Sequence, residues 1–383
     1  MNEAPNSLRV ALLAGVLTRG GAEKQLVHMA RALQAAGVCV RVYTLSEGDS
    51  YEAVLCDAGL RPIGIGRGAN PALRLVTFAR LLRQFRPHIV QAGHFYVNLY
   101  VALAARAAGS VAIGAIRSDV AQEQHDLGHW APLLFRAPTA LVANSQAARR
   151  AAMELGIDSA KLHIVPNVID TSVFDRVYRS RSATGNGARV VAMLIARLAP
   201  EKRIDRFLEG LALARRSAPE LQGVVVGVGP ERSSLEAQAD RLGLLPAGAE
   251  FRGECDDIPG LMAEADMLAL TSDHEGLPNV ILEAMAARLP VVTTPAGDAA
   301  ALVEEGVNGF VVPFDGVEAL ANRLVRLARA PALRQALGQA GYARVTERYG
   351  CAGLATRLLA VYRAVARQSG QARSRLRLLR RLQ

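Results

Sequence analysis

The stretch Thr271-Ser272-Asp273-His274-Glu275-Gly276-Leu277-Pro278-Asn279-Val280-Ile281-Leu282-Glu283-Ala284-Met285 decides how the chain reads. Ahead of it, Met267-Leu268-Ala269-Leu270 is a short apolar run of the kind that forms a buried strand. Behind the turn residues Gly276 and Pro278, apolar residues recur at helical spacing from Val280 to Arg288, and Pro278 suits the first turn of a helix. Glu275 is therefore expected at the carboxyl end of a strand, beside a helix amino terminus whose N–H groups favour anions. Glu283 follows two turns later, roughly on the same face at about 3.6 residues per turn. Two carboxylates on one rim, next to N–H donors, suit a ligand that is both hydroxyl-rich and anionic, and a nucleotide sugar is such a ligand. Taken alone, the same pair also reads as a helix-dipole partner and a solvated helix residue.

Working outward, 383 residues give room for two domains of ordinary size, each with its own core. With 51% hydrophobic and 21% charged residues the composition is globular and rather apolar. No uncharged apolar run reaches the length of a membrane-spanning helix. Met1 to Arg9 has no basic stretch leading into a long apolar one, so no signal peptide is expected. The expected location is cytoplasmic, with a peripheral place on the inner face of a bacterial cytoplasmic membrane beside it. Cys39, Cys56, Cys255 and Cys351 are scattered without zinc or redox spacing and read as reduced residues. The net charge of +10 is carried almost wholly by arginine, since the only lysines are Lys24, Lys161 and Lys202. Such a balance suits nucleic acid, anionic lipid or anionic substrates. With 5% aromatic residues and no basic stripe interleaved with stacking aromatics, nucleic acid is not expected as a partner.

From the start, Leu8 to Leu13 reads as a buried strand, followed by the turn Gly15 to Glu23 containing Gly20 and Gly21, and a helical pattern from Gln25 to Ala35. Strand, glycine turn and helix let backbone amides approach a phosphate or sugar, although a ligand-free tight turn fits as well. The turn is not G-x-G-x-x-G, so no nicotinamide cofactor is read from it. Strand and helix signals then alternate: strands at 38–45, 88–91, 111–117 and 140–144, with helices at 73–85, 99–108 and 146–155. Pro166 and Asn167 punctuate the chain, and the polar segment Arg179 to Ala188 reads as a linker. Alternation resumes with strands at 190–195, 223–228, 250–252, 290–294 and 309–312, and helices at 204–214, 235–242 and 258–264. Two such series predict two doubly wound parallel sheets of α/β class.

The central stretch resembles the E-x7-E signature of the retaining glycosyltransferases of family four, whose fold is GT-B. Further matches support the resemblance, which runs from about residue 8 to 365: the Gly-Gly turn at Gly20, the Val165-Pro166-Asn167-Val168-Ile169-Asp170 crossing and Val226-Gly227-Val228-Gly229-Pro230. It implies two Rossmann-like domains facing a central cleft. The first, at 1–175, would bind the acceptor and the second, at 176–350, the nucleotide sugar. A helix at 351–367 would pack back on the first domain, and 368–383 would be a basic tail. The implied reaction moves a hexose-type sugar from a nucleoside diphosphate to a glycan or lipid-linked acceptor of cell-surface polysaccharide or glycolipid. No organic cofactor is implied.

What the resemblance implies for single residues follows the motifs. Arg197 and Lys202, in Ala196-Arg197-Leu198-Ala199-Pro200-Glu201-Lys202, match G-R-L-x-x-x-K and would hold the donor diphosphate. Fixed cations there would stabilise the charge that grows on a departing diphosphate, while a solvated loop is the bland alternative. Glu275 would face the sugar hydroxyls, with the amides of Gly276 and Leu277 beside it, and Glu283 the ribose. Gly20, Gly21, Gly227 and Gly229 would line the donor, and Arg252 and Ile258 mark the region that holds the base. An H-x-H that the family often carries after this strand corresponds to Gln91 and Gly93, and His94 falls one position later. That leaves open a cleft role for His94 and a surface or acceptor-side one. Arg117, in Arg117-Ser118-Asp119 at another strand end, is expected on the acceptor side, with a local ion pair as its alternative.

His125 and His129 stand four apart but lack the glutamate of a metalloprotease helix, and no D-x-D occurs, so no metal is expected. After Tyr362 come seven arginines and no acid, interleaved with leucines, which suits a solvated tail or contact with an anionic membrane surface. Competing functions are a nucleotide-sugar epimerase or a phosphorylase of the same fold, and a non-catalytic binder of sugar nucleotides.

Overall fold

In Arg9–Ala14 the five residues from Val10 onward are apolar and all are buried. A strand apolar on both faces needs cover on both faces, the condition of a parallel sheet flanked by helices. The computed structural model describes residues 7–368 except 19, 67, 69, 118–119, 121–122, 124–127, 129–130 and 182–188, and of 179–181 the backbone alone. The expectations at Ser118, Asp119, His125, His129 and Ala188, and at the tail beyond Gln368, fall outside these residues.

β1 (Arg9–Ala14), β2 (Cys39–Thr44), β3 (Ile63–Gly64), β4 (Ile89–Ala92), β5 (Val111–Ile116), β6 (Ala140–Ala143) and β7 (Leu162–Ile164) form one parallel sheet. Its order is β3-β2-β1-β4-β5-β6-β7, so the winding reverses between β1 and β4. The helices Gly21–Ala35 and Leu354–Gln368 bury Leu26, Met29, Leu358 and Tyr362 in one core cluster with β1. The helices Pro71–Phe85 and Asn98–Ala108 bury Phe78, Leu82 and Val101 in another, against Leu13, Tyr43 and Val90.

β8 (Val190–Ile195), β9 (Leu221–Val226), β10 (Ala249–Arg252), β11 (Met267–Leu270), β12 (Val291–Thr293) and β13 (Gly309–Val311) form a second parallel sheet. Its order β10-β9-β8-β11-β12-β13 repeats the same reversal, here between β8 and β11. The chain divides into two compact units, Met1–Val168 with Cys351–Gln383, and Ile169–Gly350, so the change of unit comes ahead of the expected boundary at 175. At the last residue of the first stretch, Gln25 pairs its amide with Val168, donating to the carbonyl and accepting from the N–H, each at 2.8 Å. In the second unit Ile169 and Gly350 form a β-bridge, and the Ile169 N–H donates to Tyr349 O at 2.8 Å.

Two expectations shift. The helix Thr171–Arg181 runs into the segment read as a linker, whose first residues, Arg179 to Arg181, carry no proline or glycine to stop it. The first helix begins at Gly21 rather than Gln25, with Gly20 at its N-cap position. Among the described residues no helix is long and apolar enough to cross a membrane.

Candidate active site

In open α/β sheets the carboxyl ends of the strands flanking a reversal of winding diverge and leave a crevice for ligands. In the second unit those strands are β8 and β11, paired at Ala192–Met267 and Met193–Leu268. β8 leads into a short 3-10 turn, Pro200–Lys202, and then Arg203 in left-handed conformation (φ 48°) ahead of the helix Ile204–Arg215. β11 leads through Thr271 to Glu275 into the helix Asn279–Ala286. The Lys202 ammonium donates to Glu275 Oε1 at 2.7 Å, and the Ser272 hydroxyl donates to the same oxygen at 2.8 Å. Both charged side chains are mostly buried, at 20% and 14% exposure, so the pair is largely desolvated yet still open on one side.

The loops carrying that pair are stitched together beneath it. The Arg203 and Arg206 guanidiniums donate to the two oxygens of Asp273 at 3.1 and 3.0 Å. Arg206 also donates to Thr271 O at 2.7 Å, and the Thr271 hydroxyl to Arg203 O at 2.8 Å. Burial pushes the Asp273 carboxyl up, but the hydrogen bonds and charges of Arg203 and Arg206 outweigh it and hold the carboxyl below its ordinary value. A third loop, after β12, lies on the Glu275–Gly276 backbone: Asp298 N–H donates to Gly276 O at 2.9 Å, and the Thr294 hydroxyl donates to Ser272 O at 2.6 Å. Gly297 (φ +56°) sits where a Cβ would lie 2.1 Å from Glu275 O. Asp273, Ser272, Thr294 and Gly297 were given no role from sequence, although Pro295-Ala296-Gly297-Asp298 after a strand is a turn signal.

Other expected residues have surroundings of their own. Arg197 is exposed and donates to Glu201 Oε1 at 2.6 Å, so its head group lies in solvent one turn from Glu201. Arg252 donates to Glu250 at 2.8 Å and Glu264 at 2.7 Å, which engages it with two carboxylates of its own unit. Ile258 opens the helix Ile258–Glu264 half-buried, capped by Asp257, whose Oδ1 accepts from Gly260 N–H at 2.9 Å. Glu283 is buried in the helix Asn279–Ala286, and Gly276 and Leu277 are buried ahead of it. Gly227 (φ +138°) and Gly229 allow backbone to touch backbone: a Cβ on them would lie 2.0 Å from Ala196 O and 2.2 Å from Leu198 O. These two glycines therefore wall the loop that bears Arg197.

The first unit has a second constellation at its own reversal, where β1 and β4 pair. The Gly15 N–H donates to His94 Nδ1 at 3.1 Å, which makes Nδ1 the acceptor and leaves the proton on Nε2. Nε2 in turn lies 3.0 Å from Glu23 Oε1 in the first turn of the Gly21–Ala35 helix. A Cβ at Gly20 would lie 2.2 Å from the other Glu23 oxygen, so glycine there makes room for the carboxylate. Tyr96 stacks on the imidazole at 5.2 Å, and burial first, then the Glu23 charge, push its hydroxyl up to about 12. Glu23 was missed from sequence; its place in the first turn of a helix is its only local signal.

Arg117 lies deeper. It donates to Asn167 Oδ1 and to Met29 Sδ, each at 3.2 Å, and burial pulls its guanidinium down to about 10. Gln91 is fully buried and accepts a hydrogen bond from the Tyr362 hydroxyl, tying the last helix to β4.

Residues 19–173 match the sequence family described as Glycosyltransferase Family 4, and residues 189–330 the family described as Glycosyl transferases group 1. Over 195 residues the chain is 33% identical to the GDP-mannose-dependent alpha-(1-6)-phosphatidylinositol monomannoside mannosyltransferase of Mycolicibacterium smegmatis, covering 48% of this chain and 51% of that protein. Thus the chain spans about half the length of that relative and of others matched at similar identity. It is 25% identical over 373 residues to the D-inositol 3-phosphate glycosyltransferase of Kribbella flavida, covering 84% of this chain and 85% of that protein. In fold it is similar to Alr3699/HepE of Anabaena in complex with UDP-glucose, with a TM-score of 0.81 at 22% identity over 93% of this chain and 100% of that one. With each unit built on a doubly wound parallel sheet and each matched by a family of the same kind, the chain belongs to glycosyltransferase family four, of the GT-B fold.

Proposed function

We propose that the chain is a retaining, metal-independent glycosyltransferase that moves a hexose-type sugar from a nucleoside diphosphate to a glycan or lipid-linked acceptor. The observation that carries this reading is the Lys202–Glu275 pair at the carboxyl ends of adjacent strands β8 and β11. In the reaction the bond from the anomeric carbon to the diphosphate oxygen breaks. The acceptor hydroxyl oxygen forms the new bond on the same face, and its proton passes to the departing phosphate. Lys202 is the cation that answers the charge on the leaving group, in a site dry enough for one charge to count. Glu275 already accepts two hydrogen bonds on Oε1, which suits a group that orients sugar hydroxyls better than one that attacks carbon.

Relatives named for GDP-mannose and complexed with UDP-glucose make those the first donors to try. The purified chain is to be incubated with each donor and a lipid-linked glycan acceptor, with a chelator present, following nucleoside diphosphate release and product anomeric configuration by NMR. Release with retained configuration is expected. Release abolished by the chelator and restored by magnesium, or an inverted product, overturns the corresponding part of the reading.

A further inference from the structure

The turn after β1 gives up its backbone amides to side chains. The Gly15 N–H goes to His94 Nδ1, the Val16 N–H faces the Tyr96 hydroxyl, and the Leu17 N–H donates to Asp49 Oδ2 at 2.7 Å. Three successive amides are thereby withheld from any phosphate, a ligand that a glycine turn ahead of a helix would otherwise suit. Tyr96 is held from several sides. It lies in a 3-10 turn, Phe95–Val97, whose other two side chains are buried. Its ring covers Gly15, where a Cβ would run into it, and stacks on the His94 imidazole at an interplanar angle of 28°. Yet the residue is 43% exposed, so part of a fixed aromatic ring stands open beside the reversal of winding between β1 and β4. Among the described residues the charges acting on its hydroxyl are Glu23, Glu123 and Asp49, all carboxylates. Next to it, Glu23 gives Oε1 to His94 and turns Oε2 toward Gly20. Among the described residues nothing donates to that second oxygen.

A rigid aromatic ring beside a carboxylate oxygen that lacks a donor matches one class of ligand well. The C–H groups on one side of a pyranose carry slight positive charge and suit the negative face of an aromatic ring, while its hydroxyls donate to carboxylates. A ring that is already fixed loses little freedom on binding. We propose that Tyr96 and Glu23 form a saccharide subsite, in which an uncharged pyranose lies against the Tyr96 ring and donates a hydroxyl to Glu23 Oε2. A phosphate or carboxylate group fits less well there, since carboxylates surround the ring and the amides of the turn are taken. Giving this subsite to the acceptor rests on the transferase reading, whereas the binding of a pyranose to it does not.

The test is saturation-transfer NMR on the full chain, irradiating the aromatic protons of the protein. The probes are the methyl α-pyranosides of mannose, glucose and galactose, with glucose 6-phosphate, uridine and guanosine beside them. At least one methyl pyranoside should gain signal on the C–H protons of one ring face. Tyr96→Leu should weaken that binding about tenfold, and Tyr96→Phe, which keeps the ring, should preserve it. Glu23→Gln puts an amide N–H where Oε2 stood and should weaken it about fivefold. Calorimetry with a nucleoside diphosphate should give the same affinity for all three variants. No signal from any methyl pyranoside, or equal signal in Tyr96→Leu, overturns the proposal. So does tighter binding of glucose 6-phosphate, or a uridine or guanosine signal that Tyr96→Leu removes. Transfer separates the two readings. An acceptor KM unchanged in Tyr96→Leu sinks the subsite alone, whereas a pyranoside bound through Tyr96 in a chain that transfers nothing sinks the reaction alone. Should Tyr96→Leu fail to fold, Tyr96→Trp keeps a stacking ring in a chain with one other tryptophan, Trp130. Its emission should change as the pyranoside is added, and constant emission overturns the proposal.

Discussion

Lys202 Nζ and Glu275 Oε1 meet at 2.7 Å from positions 73 residues apart in the chain. Neither charge would sit so far out of water alone, because an unpaired buried charge is costly. Each therefore fixes the other's rotamer, and the Ser272 hydroxyl fixes the glutamate from a second side. The pair presents a cation and an anion next to each other, which matches a ligand with a diphosphate joined to a sugar.

Cation and anion should separate by ligand. Lys202→Ala is expected to weaken nucleoside diphosphate binding by about 1.5–3 kcal/mol, the worth of a hydrogen bond to a charged group. Glu275→Gln should cost turnover while leaving the free nucleoside diphosphate bound nearly as well, and Glu283→Gln should weaken that ligand through the ribose. Calorimetry with the nucleoside diphosphate alone on all three variants checks this. Equal weakening by Glu275→Gln and Glu283→Gln would show that the two glutamates do not divide sugar and ribose between them.

The His94 tautomer makes a second prediction. With Nδ1 taken by Gly15 N–H, the Nε2 proton needs an acceptor, and Glu23→Gln still supplies one. Glu23→Ala supplies none and should cost about 1–3 kcal/mol of stability, the price of an unsatisfied buried donor. Urea unfolding of the two variants measures the difference. Equal stabilities would mean that His94 does not lean on Glu23.

Backbone contact at Gly227 should be visible in stability rather than in ligand binding alone. Gly227→Ala places a Cβ on Ala196 O at a positive φ and is expected to destabilise by at least about 1 kcal/mol. At Gly253 an added Cβ meets nothing within 4 Å, so Gly253→Ala should change stability little. Thermal melts of both decide it, and matching melting temperatures would contradict the close approach.

Asp273 sets a pH dependence whose sign follows from its lowered carboxyl. Burial opposes the ionised form, but Arg203 and Arg206 hold the folded-state value below the unfolded one. As pH falls the unfolded chain binds the proton first, so the stabilisation is complete above about pH 4 and is lost below it as the folded-state value is passed. Asp273→Asn should therefore lower stability at neutral pH and flatten its fall at acid pH. An unchanged acid limb in denaturant titrations from neutral to about pH 2 would refute the assignment.

Elements written in local pattern were legible, and contacts across the chain were not. Val10 to Ala14 and Met267 to Leu270 announce buried strands, because five and four successive apolar residues leave no other economical state. The helix Ser50–Asp57 escaped notice since it buries only Leu55 and so shows no apolar stripe. Glu275 and Lys202 could be named from their motifs, but their contact could not, and Glu23 carries no motif that points 71 residues on to His94. Arg252, the last residue of β10, pairs with Glu250 two residues before it and with Glu264 on the next helix, and the second of these contacts has no local signal in the sequence.

The bridge between Ile169 and Gly350 brings the two ends of the second unit together. In architecture that unit is a closed loop of chain inserted into the sequence of the first, and not merely its successor. Joining its ends by a short peptide would cost little loop-closure entropy, since the fold has already brought them within hydrogen-bonding distance. The segment 169–350 is accordingly suited to excision, cyclisation or circular permutation, with new ends opened in an exposed loop.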